Sequence, residues 1–129
     1  MKNDPGKRGK VLVVEDDLAI RRLVRMILER HGYRVDVASD GAEAGSRIRS
    51  AAYDVIILDL MMPRLDGFAL MDQLASEDPD KLRRIIVTSA ASPSLIRERM
   101  RGAPFDLLPK PFDISDLANR VDACRTAQM

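Results

Sequence analysis

Four short stretches of the chain each end an apolar run on a group that can do chemistry. "VLVVEDD" ends on Glu15, Asp16 and Asp17, "DVIILD" on Asp59, "IIVTS" on Thr88 and Ser89, and "FDLLPK" on Lys110. Carboxylates brought together repel, and each raises the pKa of the others unless positive charge sits among them. A hard cation such as Mg2+ answers that need, because it takes one or two carboxylates plus water and phosphate oxygens. A lysine ammonium and a threonine hydroxyl in the same pocket offer a point charge and a hydrogen bond to an oxyanion. An aspartate among metal, lysine and hydroxyl is a competent nucleophile toward phosphorus, and the product is an acyl phosphate. Each group also has a plainer use. Glu15-Asp16-Asp17 suits a helix N-terminus, Asp66-Gly67 a turn and helix start, Thr88 and Ser89 the end of a strand, and Lys110 a solvated surface. The chemical reading requires that all of them meet at one place.

A parallel sheet would bring them together. "KVLVV" (10–14) and "YDVIIL" (53–58) are apolar and β-branched without alternation, the pattern of strands buried on both faces, and the second is the most apolar and so central. "YRVDVA" (33–38) alternates, which places it nearer an edge. "RRIIVTS" (83–89) reads as another buried strand and "FDLLPK" (105–110) as a short last one. Between them run helical patterns. Asp17 caps a helix carrying Ile20, Leu23, Val24, Ile27 and Leu28, stopped by "HG" at 31–32. A second helix over 39–50 is weakened by Gly45. A third runs from Gly67 to about Ser76. Ser92-Pro93 opens a fourth with a capping hydroxyl, turning Leu95, Ile96 and Met100 inward. Asp113 caps a fifth through Leu117, Val121 and Cys124. Strands alternating with helices imply an α/β architecture: a doubly wound, five-stranded parallel sheet with helices on both faces. Such sheets place their chemistry beyond the carboxyl ends of the strands, where the four stretches end.

The totals agree with one soluble domain. The 129 residues are 46% hydrophobic and 32% charged, with net charge +1, so no overall field argues for nucleic acid or for an acidic membrane surface. No apolar stretch approaches the roughly 20 residues that cross a bilayer. The lone Cys124 makes no internal disulfide, which fits a reducing, cytoplasmic setting. "MKNDPGKRGK" lacks the apolar core of an export signal. The expected organisation is a flexible arm over 1–9 and a single domain over 10–126, with no output domain in this chain.

Taken as a set, "VLVVEDD", "DVIILDLMMPRLDG", "IIVTSA" and "LLPKPF" resemble the receiver domain of two-component response regulators, and the resemblance runs from about Lys10 to Thr126. It implies a flavodoxin-like sheet of strand order 2-1-3-4-5. It implies Mg2+ held by Glu15, Asp16, Asp59 and the backbone carbonyl of Met61. Asp59 then matches the phosphoacceptor, Thr88 the switch hydroxyl, and Lys110 the lysine that pairs with the phosphoryl group, through a cis bond to Pro111. The phosphoryl donor is a histidine kinase or a histidine phosphotransfer protein. A downstream protein reads the change on the face of the fourth helix, fifth strand and fifth helix. The expected state is a monomer or a weak phosphorylation-linked dimer that binds neither nucleic acid nor membrane, and the chain is not a turnover enzyme. His31 matches no functional position and reads as surface or capping.

The chain departs from the family pattern at Leu107, where an aromatic ring commonly stands three residues before the lysine. Phe105 is expected on the opposite face of the strand, so aromatic coupling to Thr88 gives way to a muted or rerouted switch. A haloacid-dehalogenase-like phosphatase is a rival reading, but it wants a second aspartate two past the nucleophile, and that residue is Met61. A receiver-like domain that accepts no phosphate is a second rival, opposed by the full set of Glu15, Asp16, Asp59, Thr88 and Lys110. The reading accommodates both a stand-alone receiver and a fragment of a longer regulator. Met61 and Ala90, two past Asp59 and Thr88, offer no polar side chain to orient an attacking water. Loss of phosphate is therefore expected to be slow, and Met61→Asn with Ala90→Glu to speed it; an unchanged decay rate in the double variant would refute this.

Overall fold

The apolar runs pair as one parallel sheet whose two faces are closed by helices. The computed structural model describes residues 8–62 and 65–128. Strands β1 (Gly9–Val14), β2 (Tyr33–Ala38), β3 (Val55–Asp59), β6 (Ile85–Ser89) and β7 (Asp106–Pro109) form the sheet. Their order is β2-β1-β3-β6-β7, every pairing parallel. This is the expected 2-1-3-4-5 order once β4 (Met61–Met62) and β5 (Leu65–Asp66), a separate two-residue antiparallel ladder, are set aside. The helices are α1 (Leu18–Arg30), α2 (Gly41–Ser50), α3 (Gly67–Glu77), α4 (Pro93–Arg99) and α5 (Ile114–Thr126).

Strand alternation sorts the core into two layers. Leu12, Val14, Ile56, Leu58, Val87 and Leu107 pack against Ala44, Ile48, Leu70, Met71, Leu74, Ile96 and Met100 of α2, α3 and α4. Val11, Val13, Val55, Ile57, Ile86 and Leu108 pack against Val24, Leu28, Leu117 and Val121 of α1 and α5. Strands β3 and β6 are buried at every residue, as central strands covered on both sides must be, while the alternating β2 lies at an edge. Aspartates start four of the helices: Asp17, Asp40, Asp66 and Asp113 accept from the N–H of Ile20, Glu43, Ala69 and Ser115.

Several expectations shift. The arm expected over 1–9 lies outside the described residues except at its end, where the Arg8 N–H donates to Gly32 O and Gly9 already belongs to β1. Residues Pro79–Arg84, partly assigned to a strand, form a 3-10 turn with Pro79 in its first turn. Ser92 does not cap α4 through its side chain; its hydroxyl bonds to that of Ser94 at 2.9 Å. Leu95 is 59% exposed while Ile96 and Met100 are buried, because one residue is 100° of rotation and a seven-residue helix turns only a narrow stripe inward. Leu23 is exposed beside buried Val24 and Leu28 for the same reason.

Two glycines separate packing from propensity. A Cβ on Gly67, at the first turn of α3, would lie 2.6 Å from Leu60 Cα and 2.9 Å from Leu60 O. That approach presses α3 against the chain just after Asp59. A Cβ on Gly45 would meet only Arg49, with Nη1 at 3.0 Å, the movable end of a flexible side chain. Gly67→Ala is expected to destabilise by about 1–3 kcal/mol through overpacking, and Gly45→Ala to stabilise by up to about 1 kcal/mol through helix propensity. Thermal melts of the two variants check both signs.

Candidate functional site

Adjacent strands deliver the four chemical stretches to one edge. β1 pairs with β3 through Val14 opposite Leu58, so Glu15 and Asp59 leave the sheet side by side. Asp59 is the register partner of Thr88 in β6. β7 brings Lys110 alongside, its N–H donating to Ser89 O at 2.8 Å. Glu15 and Asp59 are each 4% exposed and Thr88 is 2% exposed, whereas Asp16 is open to solvent.

The Lys110 ammonium joins the two buried carboxylates, donating to Glu15 Oε1 at 2.6 Å and to Asp59 Oδ2 at 2.9 Å. The remaining oxygens are held by backbone. Met61 N–H donates to Asp59 Oδ1 at 3.0 Å, and Asp17 N–H to Glu15 Oε2 at 3.2 Å. Asp17 also caps α1, and Arg21 of that helix reaches Glu15 O at 3.0 Å. Helix start and carboxylate orientation are thus one assembly. Burial pushes the Glu15 carboxyl above its usual pKa and the Asp59 charge adds to this, against the lowering pull of Lys110 and the Asp17 N–H. Burial acts to lower the Lys110 pKa, but its hydrogen bonds to Glu15 and Asp59 overcome it and the ammonium is held above its usual value.

One oxygen each of Glu15, Asp16 and Asp59 lies within 4.8 Å of the others. Three carboxylates and one ammonium leave a formal charge of two negative. Clustered hard oxygens with that residual charge fit a divalent, oxygen-binding cation. The other expected residues fall around this centre. Met61 opens the β4–β5 ladder and is 59% exposed. The Lys110–Pro111 bond is cis. Leu107 is buried in the core layer that also holds Ile96 and Met100. Phe105 packs on that same layer, overturning its expected opposite orientation: residues two apart along a strand share a face. His31 is the C-cap of α1. Cys124 is half-buried against Arg83 O, and burial pushes its thiol pKa up.

One feature escaped the sequence reading. Ile20, Leu23 and Val24 of α1 face Pro111, Phe112 and Ile114 across a cleft of about 360 Å3 that Lys110 borders. The apolar spacing of α1 and the "PF" after the lysine were its only signal. A cleft of about 350 Å3 at the far end of the sheet, between α2 and the 3-10 turn, holds Arg49, Lys81 and Arg84 and none of the three clustered carboxylates.

Like charges this close oppose folding when no cation screens them. Asp16→Asn removes one of them from an exposed position. In EDTA this variant is expected to melt at a higher temperature than the wild-type protein, and a lower melting temperature would contradict the electrostatic account.

Residues 11–122 match the model of the response regulator receiver domain. Response regulator MprA of Mycobacterium avium strain 104 is 42% identical over 117 residues, covering 88% of this chain and 50% of that protein. MprA of Mycolicibacterium vanbaalenii is 42% identical over the same length, covering 49% of that protein. The chain thus spans about half the length of the curated relatives it matches. The receiver domain of Francisella response regulator 1452 superposes with a TM-score of 0.83 at 35% identity, covering 94% of this chain and 99% of that one. The receiver domain of a signal transduction histidine kinase from Syntrophus aciditrophicus gives a TM-score of 0.79 at 29% identity, with 92% and 91% covered. With the family model running from within β1 to within α5, the chain belongs to the receiver domains of two-component response regulators.

Proposed function

We propose that Asp59 accepts a phosphoryl group from a phosphohistidine on a histidine kinase or histidine phosphotransfer protein. The observation that carries this reading is the placement of Asp59: nearly buried at the tip of the central strand, bound to Lys110, and within 4.8 Å of two further carboxylates. In the reaction an Asp59 oxygen attacks phosphorus in line, the P–O bond forms, and the N–P bond to the imidazole breaks. Glu15, Asp16, Asp59 and the Met61 carbonyl would hold Mg2+, which supplies charge neutralisation for the phosphoryl oxygens. The Lys110 ammonium, already 2.9 Å from Asp59 Oδ2, transfers to a phosphoryl oxygen as the carboxylate becomes an ester-like acyl phosphate. The Thr88 hydroxyl, on the neighbouring register position, donates a hydrogen bond to another.

The apolar cleft beside Lys110 suits the donor partner, because it offers about 360 Å3 of recessed surface next to the acceptor. A downstream protein would read the result on the face of α4, β7 and α5. On this reading the chain takes part in its own phosphorylation without being a turnover enzyme. It works in the cytoplasm as a monomer or weak phosphorylation-linked dimer, and this domain makes no direct contact with nucleic acid or membrane.

Intact-protein mass after incubation with Mg2+ and acetyl phosphate tests the proposal. The expected result is a gain of one phosphoryl group that EDTA or Asp59→Asn abolishes. Uptake that survives Asp59→Asn would place the acceptor elsewhere. If no uptake occurs even from a phosphorylated histidine kinase, and no Mg2+ binds, a phosphate-independent interaction domain replaces the receiver mechanism.

A further inference from the structure

We propose that Met61 is an oxidation-sensitive control on how long the phosphoryl group stays on Asp59. The inference rests on the phosphoacceptor reading above and adds a regulation of that site. Among the described methionines, Met62, Met71 and Met100 are 5%, 0% and 7% exposed, whereas Met61 is 59% and Met26 is 41% exposed. Oxidant arriving from solvent therefore meets Met61 and Met26 while the core thioethers stay covered. Met26 lies on α1. Met61 stands at the acceptor itself, its N–H on Asp59 Oδ1 at 3.0 Å and its backbone paired with Asp66. Those backbone ties hold the residue in place whatever the state of its sulfur.

The step is a two-electron oxygen transfer from a peroxide. The sulfur lone pair attacks one peroxide oxygen, the O–O bond breaks as the S–O bond forms, and the departing oxygen leaves as water. Sulfur is oxidised and the peroxide reduced. A weakly accepting thioether becomes a sulfoxide, a polar group with a strong acceptor oxygen at the end of a flexible side chain. Beside Asp59 that oxygen can orient a water for attack on phosphorus. The water P–O bond then forms, the bond to the Asp59 carboxylate breaks, and inorganic phosphate leaves. The change is reversible, since enzymatic reduction returns sulfoxide to thioether.

The test uses three proteins: wild type, Met61→Leu and Met26→Leu, each with and without prior treatment by hydrogen peroxide. Peptide mapping locates the sulfoxide, acetyl phosphate with Mg2+ loads the acceptor, and intact mass follows the loss of phosphate. Oxidised wild type and oxidised Met26→Leu are expected to lose phosphate about 2- to 10-fold faster than their untreated forms, the worth of one transition-state hydrogen bond. Met61→Leu is expected to decay at one rate before and after treatment. Unchanged or slower decay in oxidised wild type overturns the proposal, as does mapping in which Met61 oxidises no faster than buried Met62. If the untreated protein takes up no phosphoryl group from any donor, the phosphoacceptor reading itself fails and this inference falls with it; uptake followed by unaltered decay sinks the inference alone.

Discussion

Three carboxylates share the carboxyl edge of the sheet with a single ammonium, and the apolar strands beneath keep them from moving apart. Glu15 and Asp59 continue strands that are buried on both faces, so neither backbone can retreat toward water. The Glu15 and Asp59 carboxylates are each further pinned by a backbone N–H and by Lys110. Lys110 offsets part of the self-repulsion, and the remaining charge of two negative is built into the folded state. Binding sites hold such tension because the fold's core offsets it. The two layers of aliphatic packing on either side of the sheet do that here.

Much of this was readable from residue types, and the failures have physical causes. The unbroken apolar run of β3 marked it as central, since only a strand covered on both faces can carry no polar alternation. The aspartates at 17, 66 and 113 marked helix starts because a short carboxylate there meets free backbone N–H groups. The site residues stood out because parallel strands all point the same way, so their ends converge. Short elements were harder to read. The 3-10 turn at Pro79–Arg84 buries one residue, Leu82, and leaves no period to detect. Leu95 and Ile96 look alike in a seven-residue helix, and only tertiary packing chooses which turns inward. Phe105 stands two residues before Leu107, and that even offset places both on the α4 layer. The cleft between α1 and the segment after Lys110 joins residues about ninety positions apart, which no local pattern reports.

The α4 side of the molecule is held differently from the rest. Ser92 leaves the helix start without a side-chain cap. Its far end is tied to α3 by Arg99, which lies over the Phe68 ring at 5.2 Å and 3.9 Å from Asp72. Beneath it, Leu107 and Phe105 present one aliphatic and one aromatic surface. Across the β6–β7 ladder Leu107 stands opposite Val87 and Leu108 opposite Thr88, so on this side of the sheet an aliphatic side chain, not a ring, lies next to the strand that carries Thr88. Thin capping and a few exposed ties are the marks of a segment that opens at low free-energy cost.

The hairpin formed by β4 and β5 has a consequence of another kind. The groups fixing Asp59 in that loop are main-chain ones: the Met61 N–H, the Met61–Asp66 pairing, and the close seat of Gly67 against Leu60. Because the frame is peptide rather than side chain, the side chain at position 61 is free of structural duty. Under the phosphoacceptor proposal, mutation there would change how long Asp59 stays phosphorylated while the frame that holds its carboxylate stays intact. Under that proposal, heritable variation at this one position would adjust the timing of a response separately from its wiring.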